Sequence, residues 1–230
     1  MNLKPNIVQA ANLIGDPSRL AMLIALLGGK ALPATDLAHA ARISPQTASS
    51  HLSKMVEGGL LIHDSYGRHK YFRLASPEVA HALESLLAIS PPKSVSSLRE
   101  SDELKSLRHA RTCYDHLAGK IGVDLTDRLL NMKYLEEHGK DYVITEEGKE
   151  MLQNFGVEVN AETRKRRHYA RQCLDWSERR HHLAGSLGAA MTKRLFELNW
   201  IERLPNGRAV RVTDAGKIGL TNSFGLTFER

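Results

Sequence analysis

The 230-residue chain contains only two cysteines, Cys113 and Cys173, and only two tryptophans. Two thiols in a chain of this length cannot build a disulfide scaffold, so a reducing cytoplasm is the expected compartment. No apolar run approaches the roughly 20 residues that cross a bilayer, and no charged leader precedes a short apolar stretch, so neither a membrane partner nor secretion is expected. Glycine-rich phosphate loops, zinc-protease motifs and nucleophile elbows are all missing. The short Cys-x-Asp pattern with a nearby histidine is too brief to define a reaction, so no enzymatic role is expected. What the chain does have is 42 % apolar residues, enough for two small cores, and a net charge of +6. Residues 1–90 carry 8 Lys and Arg against 6 Asp and Glu, so most of the basic excess lies beyond them. The densest runs are Arg164–His168 with Arg171, and Arg179–His182. They suit a solvated helix face, a DNA backbone or an anionic effector.

Hydrophobic period organises the first part of the chain. Leu37, Ala38 and Ala41 recur at helical spacing before Ile43-Ser44-Pro45 breaks the pattern with a capping residue and a proline suited to a first helical position. In the helix that follows, Ala48, Leu52, Met55 and Val56 form one apolar stripe. Gln46, Thr47, Ser49, Ser50, His51 and Lys54 are left on or beside the opposite face. Solvated helix faces are usually laced with Glu and Lys, whereas small hydroxyl and amide groups beside a lysine suit base edges and a phosphate. Gly58-Gly59 ends this helix. A strand from Leu60, a turn at Ser65-Tyr66-Gly67 and a return strand through Leu74 complete a hairpin whose tip carries Arg68, His69 and Lys70. A helix pair followed by a basic hairpin is the layout of a winged helix-turn-helix, which places one helix in the DNA major groove. Gln46, Thr47, Ser49 and Ser50 are expected at base edges, with Ser44 as the cap. His51, Lys54, Arg68, His69 and Lys70 are expected at phosphates.

These motifs, from Asp16-Pro17-Ser18-Arg19-Leu20 and Asp36-Leu37-Ala38 through Ser44–Leu52, Gly58–Leu61 and Gly67-Arg68 to Tyr71-Phe72-Arg73-Leu74, resemble the ArsR family of bacterial repressors over about the first 90 residues. The resemblance implies a homodimer that binds double-stranded operator DNA and leaves it when an inducer binds. Many members sense soft metals through a cysteine pair in the helix before the recognition helix. The matching stretch here, Leu32–Leu37, has no cysteine, and soft ions need sulfur ligands. A second metal site of the family uses carboxylates and histidines on the dimer helix. That helix should run from Ser76 to Ile89 and offers only Glu78, His81 and Glu84, expected on a solvated outer face. Its Val79, Leu83, Leu86 and Leu87 suit packing against a partner chain.

Ser90–Ser97 is rich in proline and serine and reads as a linker. Beyond it lies an internal repeat. Arg111-Thr112-Cys113-Tyr114-Asp115 matches Arg171-Gln172-Cys173-Leu174-Asp175, and His116-Leu117-Ala118-Gly119 with Gly122 matches His182-Leu183-Ala184-Gly185 with Gly188. Farther on, Tyr134 matches Trp200, and Thr145 with Gly148-Lys149 matches Thr213 with Gly216-Lys217. Each copy reads as a helix, a second helix, a hairpin and a final helix, a winged-helix-like half without the polar recognition face. The second copy has six extra residues, Trp176–His181, expected to lengthen a helix or form a lip over a pocket. Tyr114, Tyr134, Tyr169, Trp176 and Trp200 are either core residues or the walls of a groove for a small aromatic inducer, with Asp115, Asp175, His116 and His182 as polar guides.

Cys113 and Cys173 occupy equivalent repeat positions and admit three readings. They could be inert core residues, a redox pair, or metal ligands together with His116 and His182, which would require the first helices of the two repeats to meet. The expected architecture is mainly α with small β-hairpin wings (α+β). It comprises a DNA-binding and dimerisation domain at 1–90, a linker at 91–100, and a duplicated regulatory domain at 101–230 with repeats at about 105–155 and 165–222. No cofactor is expected and metal is disfavoured; an unidentified small-molecule or thiol-reactive inducer is expected to act on the second domain.

Overall fold

The computed structural model describes residues 6–67, 69–91, 97–158, 169–205 and 207–228. Arg68, the basic run 164–168 and linker residues 92–96 lie outside the described residues. The chain divides into two compact units, Met1–Leu83 and Glu84–Arg230.

The first unit is a winged helix-turn-helix. Asn6 and Asp16 cap α1 (Ile7–Ile14) and α2 (Pro17–Leu26) by accepting from backbone N–H groups three residues on, which satisfies donors that a helix start leaves without partners. After the short β1 (Leu32–Pro33), α3 (Ala34–Ala41) stops where Arg42 adopts a left-handed φ of 54°. Ser44 then accepts from the Thr47 N–H and starts α4 (Pro45–Glu57) with proline at its first position. Met22, Leu23, Leu26, Leu37, Leu52 and Met55 form the centre of the core. Truncating any of these buried leucines to alanine costs roughly 2–5 kcal/mol. The wing is β2 (Leu61–Tyr66) antiparallel to β3 (His69–Leu74), with β1 on the other edge of β3. Ser65 and Tyr66 were expected in the turn but are strand residues paired with Lys70 and His69. Gly67, directly after β2, takes a left-handed φ of 60°.

The helix α5 (Pro77–Ile89) crosses the boundary between the units. The next helix, α6 (Leu98–His109), begins inside the stretch read as linker because the Ser97 side chain caps it. Each repeat then differs from expectation in its first element, which is a β-hairpin rather than a helix. In the first copy β4 (Arg111–Cys113) pairs with β5 (His116–Ala118) around a two-residue turn in which Tyr114 has a φ of 60°. In the second, β8 (Arg171–Leu174) pairs with β9 (His181–Ala184); five of the six extra residues lie in the longer turn between them, and the sixth, His181, opens β9. Strands this short show no readable alternation, and their apolar residues are equally compatible with one helical turn.

The later elements follow the repeat. The first copy continues as α7 (Lys120–Asn131), a wing of β6 (Leu135–His138) and β7 (Asp141–Ile144), and α8 (Glu146–Asn154). The second continues as α9 (Gly185–Glu197), β10 (Ile201–Arg203), β11 (Val210–Val212) and α10 (Asp214–Phe224). Thr145 and Thr213 cap their helices through the N–H groups of Gly148 and Gly216, as the matched Thr and Gly positions suggest.

The copies are interleaved. The second hairpin extends the first wing into a four-stranded sheet, β6-β7-β8-β9. Reciprocally, Arg111 of the first hairpin bridges to Ala209 beside the second wing. The hydrogen bonds repeat too: Gln172 N–H donates to Lys140 O at 3.1 Å and Thr112 N–H to Arg208 O at 2.8 Å, while Tyr142 N–H donates to Ala170 O and Val210 N–H to Ala110 O. One continuous core joins both copies, including Leu129 with Leu195 and Tyr142 with Val210.

Candidate functional site

The exposed face of α4 is assembled by its cap and its buried stripe. Ala48, Leu52 and Met55 are buried, which turns Gln46, Thr47, Ser49, Ser50 and Lys54 outward; all five are exposed. Ser44 is exposed as well, with its hydroxyl 2.9 Å from that of Thr47. His51 is half-buried. Its Nδ1 lies 3.2 Å from Arg19 Nη1, so it accepts from the guanidinium, which also donates to the carbonyls of Leu13 and Asn12. His69 and Lys70 are exposed on β3. Three exposed groups on this surface were not picked out in the sequence. Ser53 lies one turn beyond Ser50 and a helical projection would have found it. Arg42 protrudes from the left-handed turn between α3 and α4, and Tyr66 stacks edge-on against Tyr71 on the wing, with ring centroids 5.8 Å apart. Neither has a periodic signal.

On α5, Glu84 is not on a solvated face. It is 2 % exposed and ion-paired with Arg208, which is itself buried and also donates to Thr112 O at 3.5 Å. Glu78 is exposed, and among the described residues no group of three metal-ligating side chains forms on this helix. Leu83 and Ala88 are buried, whereas Leu86 and Ile89 are exposed.

In the second unit the two hairpins bring four matched side chains together. Strand register sets Cys113 directly across from His116, and Cys173 directly across from His182. One donor atom from each of the four lies within 4.8 Å of every other, and all four residues are buried. The Cys113 and Cys173 sulfurs are 3.9 Å apart and not bonded to each other. The two imidazoles stack with centroids 5.1 Å apart. His116 Nδ1 lies 3.2 Å from Asp115 Oδ1, and His182 Nδ1 lies 3.5 Å from Asp175 Oδ2. Among the described residues neither Nε2 has a hydrogen-bond partner.

Electrostatics follow from this dry setting. The neighbouring Cys173 sulfur and burial push the Cys113 thiol well above its ordinary range, so it is no exposed, reactive thiolate. Burial and the adjacent His116 push His182 well below the usual histidine value. His116 is raised to about 9, burial opposing while the Cys113 sulfur and the Asp115 carboxylate favour its charge. Arg111 does not activate a thiol, because its guanidinium is fully buried and donates to Asp175 Oδ2 at 2.9 Å. Burial alone would raise Asp175, but that guanidinium holds the carboxyl well below the ordinary carboxylate range. Asp175 also accepts from Gly119 N–H, Ser177 N–H and hydroxyl, and Glu178 N–H.

The inserted Trp176 lies over Arg111, 4.5 Å from the guanidinium carbon to the ring centroid. Within the insertion, Trp176 thus covers a buried ion pair. Tyr134, Tyr169 and Trp200 pack, partly buried, against the common core.

A winged helix-turn-helix with an open polar face on α4 defines the class: residues 14–64 match the family described as Helix-turn-helix domain, HTH_20. Over 216 residues, 94 % of this chain and 96 % of the relative, the protein is 45 % identical to the HTH-type transcriptional regulator YdfF of Bacillus subtilis (strain 168), and it belongs to that family of HTH-type transcriptional regulators. Such regulators bind DNA, and the match spans the C-terminal unit as well as the winged helix. Solved structures similar to it include NolR from Sinorhizobium fredii, at 23 % identity over 39 % of this chain and 95 % of that one, TM-score 0.34. Reduced HlyU from Vibrio cholerae N16961 is also 23 % identical, over 37 % of this chain and 90 % of its own, with a TM-score of 0.34. No helix among the described residues is long and apolar enough to cross a membrane.

Proposed function

We propose that this regulator is a homodimeric repressor of the ArsR type, held on a double-stranded operator by α4 and the wing and released when an inducer acts on its C-terminal unit. The observation that carries this reading is the face of α4. From Gln46 to Lys54 it exposes amide, hydroxyl and ammonium groups with no carboxylate, while the reverse face is locked into the core. In this reading Gln46, Thr47, Ser49 and Ser50 contact base edges, and Lys54, His69 and Lys70 contact phosphates. His51, already held by Arg19, donates from Nε2 to the backbone. Leu86 and Ile89, left uncovered on α5, support dimer packing through that helix. Release is assigned to the C-terminal unit because the segment Leu32–Leu37 has no thiol.

Fluorescence anisotropy with the protein's own upstream DNA and a scrambled duplex, measured across a salt series, tests it. Gln46→Ala and Ser50→Ala should each cost about 1–3 kcal/mol on the specific site and little on the scrambled duplex. Lys70→Ala should weaken both duplexes alike and reduce the salt slope by about 1. Unchanged specific binding in the first two variants would show that α4 is not the reader.

A further inference from the structure

We propose that Cys113, His116, Cys173 and His182 bind one Zn2+ ion in a closed tetrahedral site that staples the two C-terminal repeats together. The proposal stands on the geometry of the second unit and is independent of operator binding.

The donor set is two sulfurs and two imidazoles, the combination that selects zinc in tetrahedral sites. Zinc–sulfur bonds of about 2.3 Å at the tetrahedral angle separate two sulfurs by about 3.8 Å; the observed separation is 3.9 Å. A disulfide would need about 2.05 Å. Each imidazole also has the outer partner that zinc-binding histidines have, a carboxylate facing Nδ1. Asp115 is hydrogen-bonded to His116, whereas Asp175 faces His182 Nδ1 at 3.5 Å without a hydrogen bond; the two buried Nε2 atoms, which lack hydrogen-bond partners among the described residues, are the donors to the ion. Without a metal, each such nitrogen is a buried polar atom left unsatisfied.

Charge also balances. Binding expels the two thiol protons and any proton on a ligating imidazole nitrogen, so Zn2+ with two thiolates and two neutral imidazoles forms a centre of zero net charge, which suits a site whose four ligands are all buried. Four protein ligands leave no open position for substrate, which distinguishes a structural site from a catalytic one. Each hairpin contributes one Cys and one His from opposed strand positions, so neither repeat can complete the site alone.

The full-length protein should be purified under reducing conditions, desalted, and analysed for metal by mass spectrometry, then reconstituted with Co2+. We expect one zinc per chain, a sulfur-to-cobalt charge-transfer band with intense tetrahedral visible bands, and loss of both in Cys113→Ser and Cys173→Ser. X-ray absorption on the wild-type zinc protein, which requires no variant to fold, should show two sulfurs at about 2.3 Å and two nitrogens at about 2.0–2.1 Å. Asp115→Ala, at a partly exposed position outside the four ligands, should weaken zinc binding 10–100-fold. Folded wild-type protein that retains neither zinc nor cobalt, a metal shell without sulfur, or a Cys113–Cys173 disulfide formed in place of metal uptake would overturn the proposal.

Discussion

Arg111 and Arg171 began as equivalent positions of a duplicated sequence, yet the first is fully buried and the second partly exposed. The difference arises across the repeat, where the matched Asp175 and the inserted Trp176 and Ser177 enclose the Arg111 guanidinium. A buried pair of this kind gives little net stability, but losing one partner is expensive because the other charge is stranded. Asp175→Asn should therefore lower stability by about 3–5 kcal/mol, whereas a double replacement by Arg111→Met and Asp175→Leu should recover much of that loss. Urea unfolding followed by tryptophan fluorescence measures both, since Trp176 and Trp200, the protein's two tryptophans, lie in the second unit. At this scale the sequence was partly legible. The four cluster residues stood out because they are rare types at matched positions. The Arg111–Asp175 pair did not, since residues 64 apart give no spacing signal and arginine beside cysteine suggests a thiolate instead.

Helix boundaries in the first unit could be read from chemistry that acts within a few residues: Asp16 and Ser44 as caps, prolines at first positions, glycine after α4. The opening hairpins of the two repeats could not, because strands of three and four residues take their identity from pairing with distant wings. Glycine provided a usable hint. A Cβ on Gly188 would come within 2.4 Å of Leu183 O, and one on its counterpart Gly122 within 2.5 Å of Leu117 O. The helices α7 and α9 can thus pack directly on the strands that precede them, and the matched glycines mark that close approach. Gly188→Ala should cost about 1–3 kcal/mol through overpacking, while Lys193→Ala, on the exposed side of the same helix, should stay within about 0.5 kcal/mol. Thermal unfolding of the full-length variants distinguishes the two.

Taken as a whole, the C-terminal unit is one core made by two copies, not two adjacent modules. Each hairpin is paired to the other copy's wing, and both helices α7 and α9 contribute to a single apolar cluster. Residues 97–158 expressed alone should therefore remain unfolded by circular dichroism and amide exchange, as should residues 169–228 alone. Mixing the two pieces should restore helical signal, because the missing strand pairing and core surface are supplied in trans. A folded single repeat would contradict the interleaved arrangement.

Duplication within one chain also sets how the Cys/His cluster depends on concentration. A site completed at a subunit interface disappears as the protein is diluted below its dimer dissociation constant. Here both halves are tethered by covalent linkage, so assembly of the cluster is unimolecular and occurs in every folded chain at any protein level. In the proposed dimer, pairing of two winged helices on DNA is by contrast second order in chain concentration. The two events can thus respond to different variables in the cell, one to the cluster's chemistry and the other to how much regulator has been made.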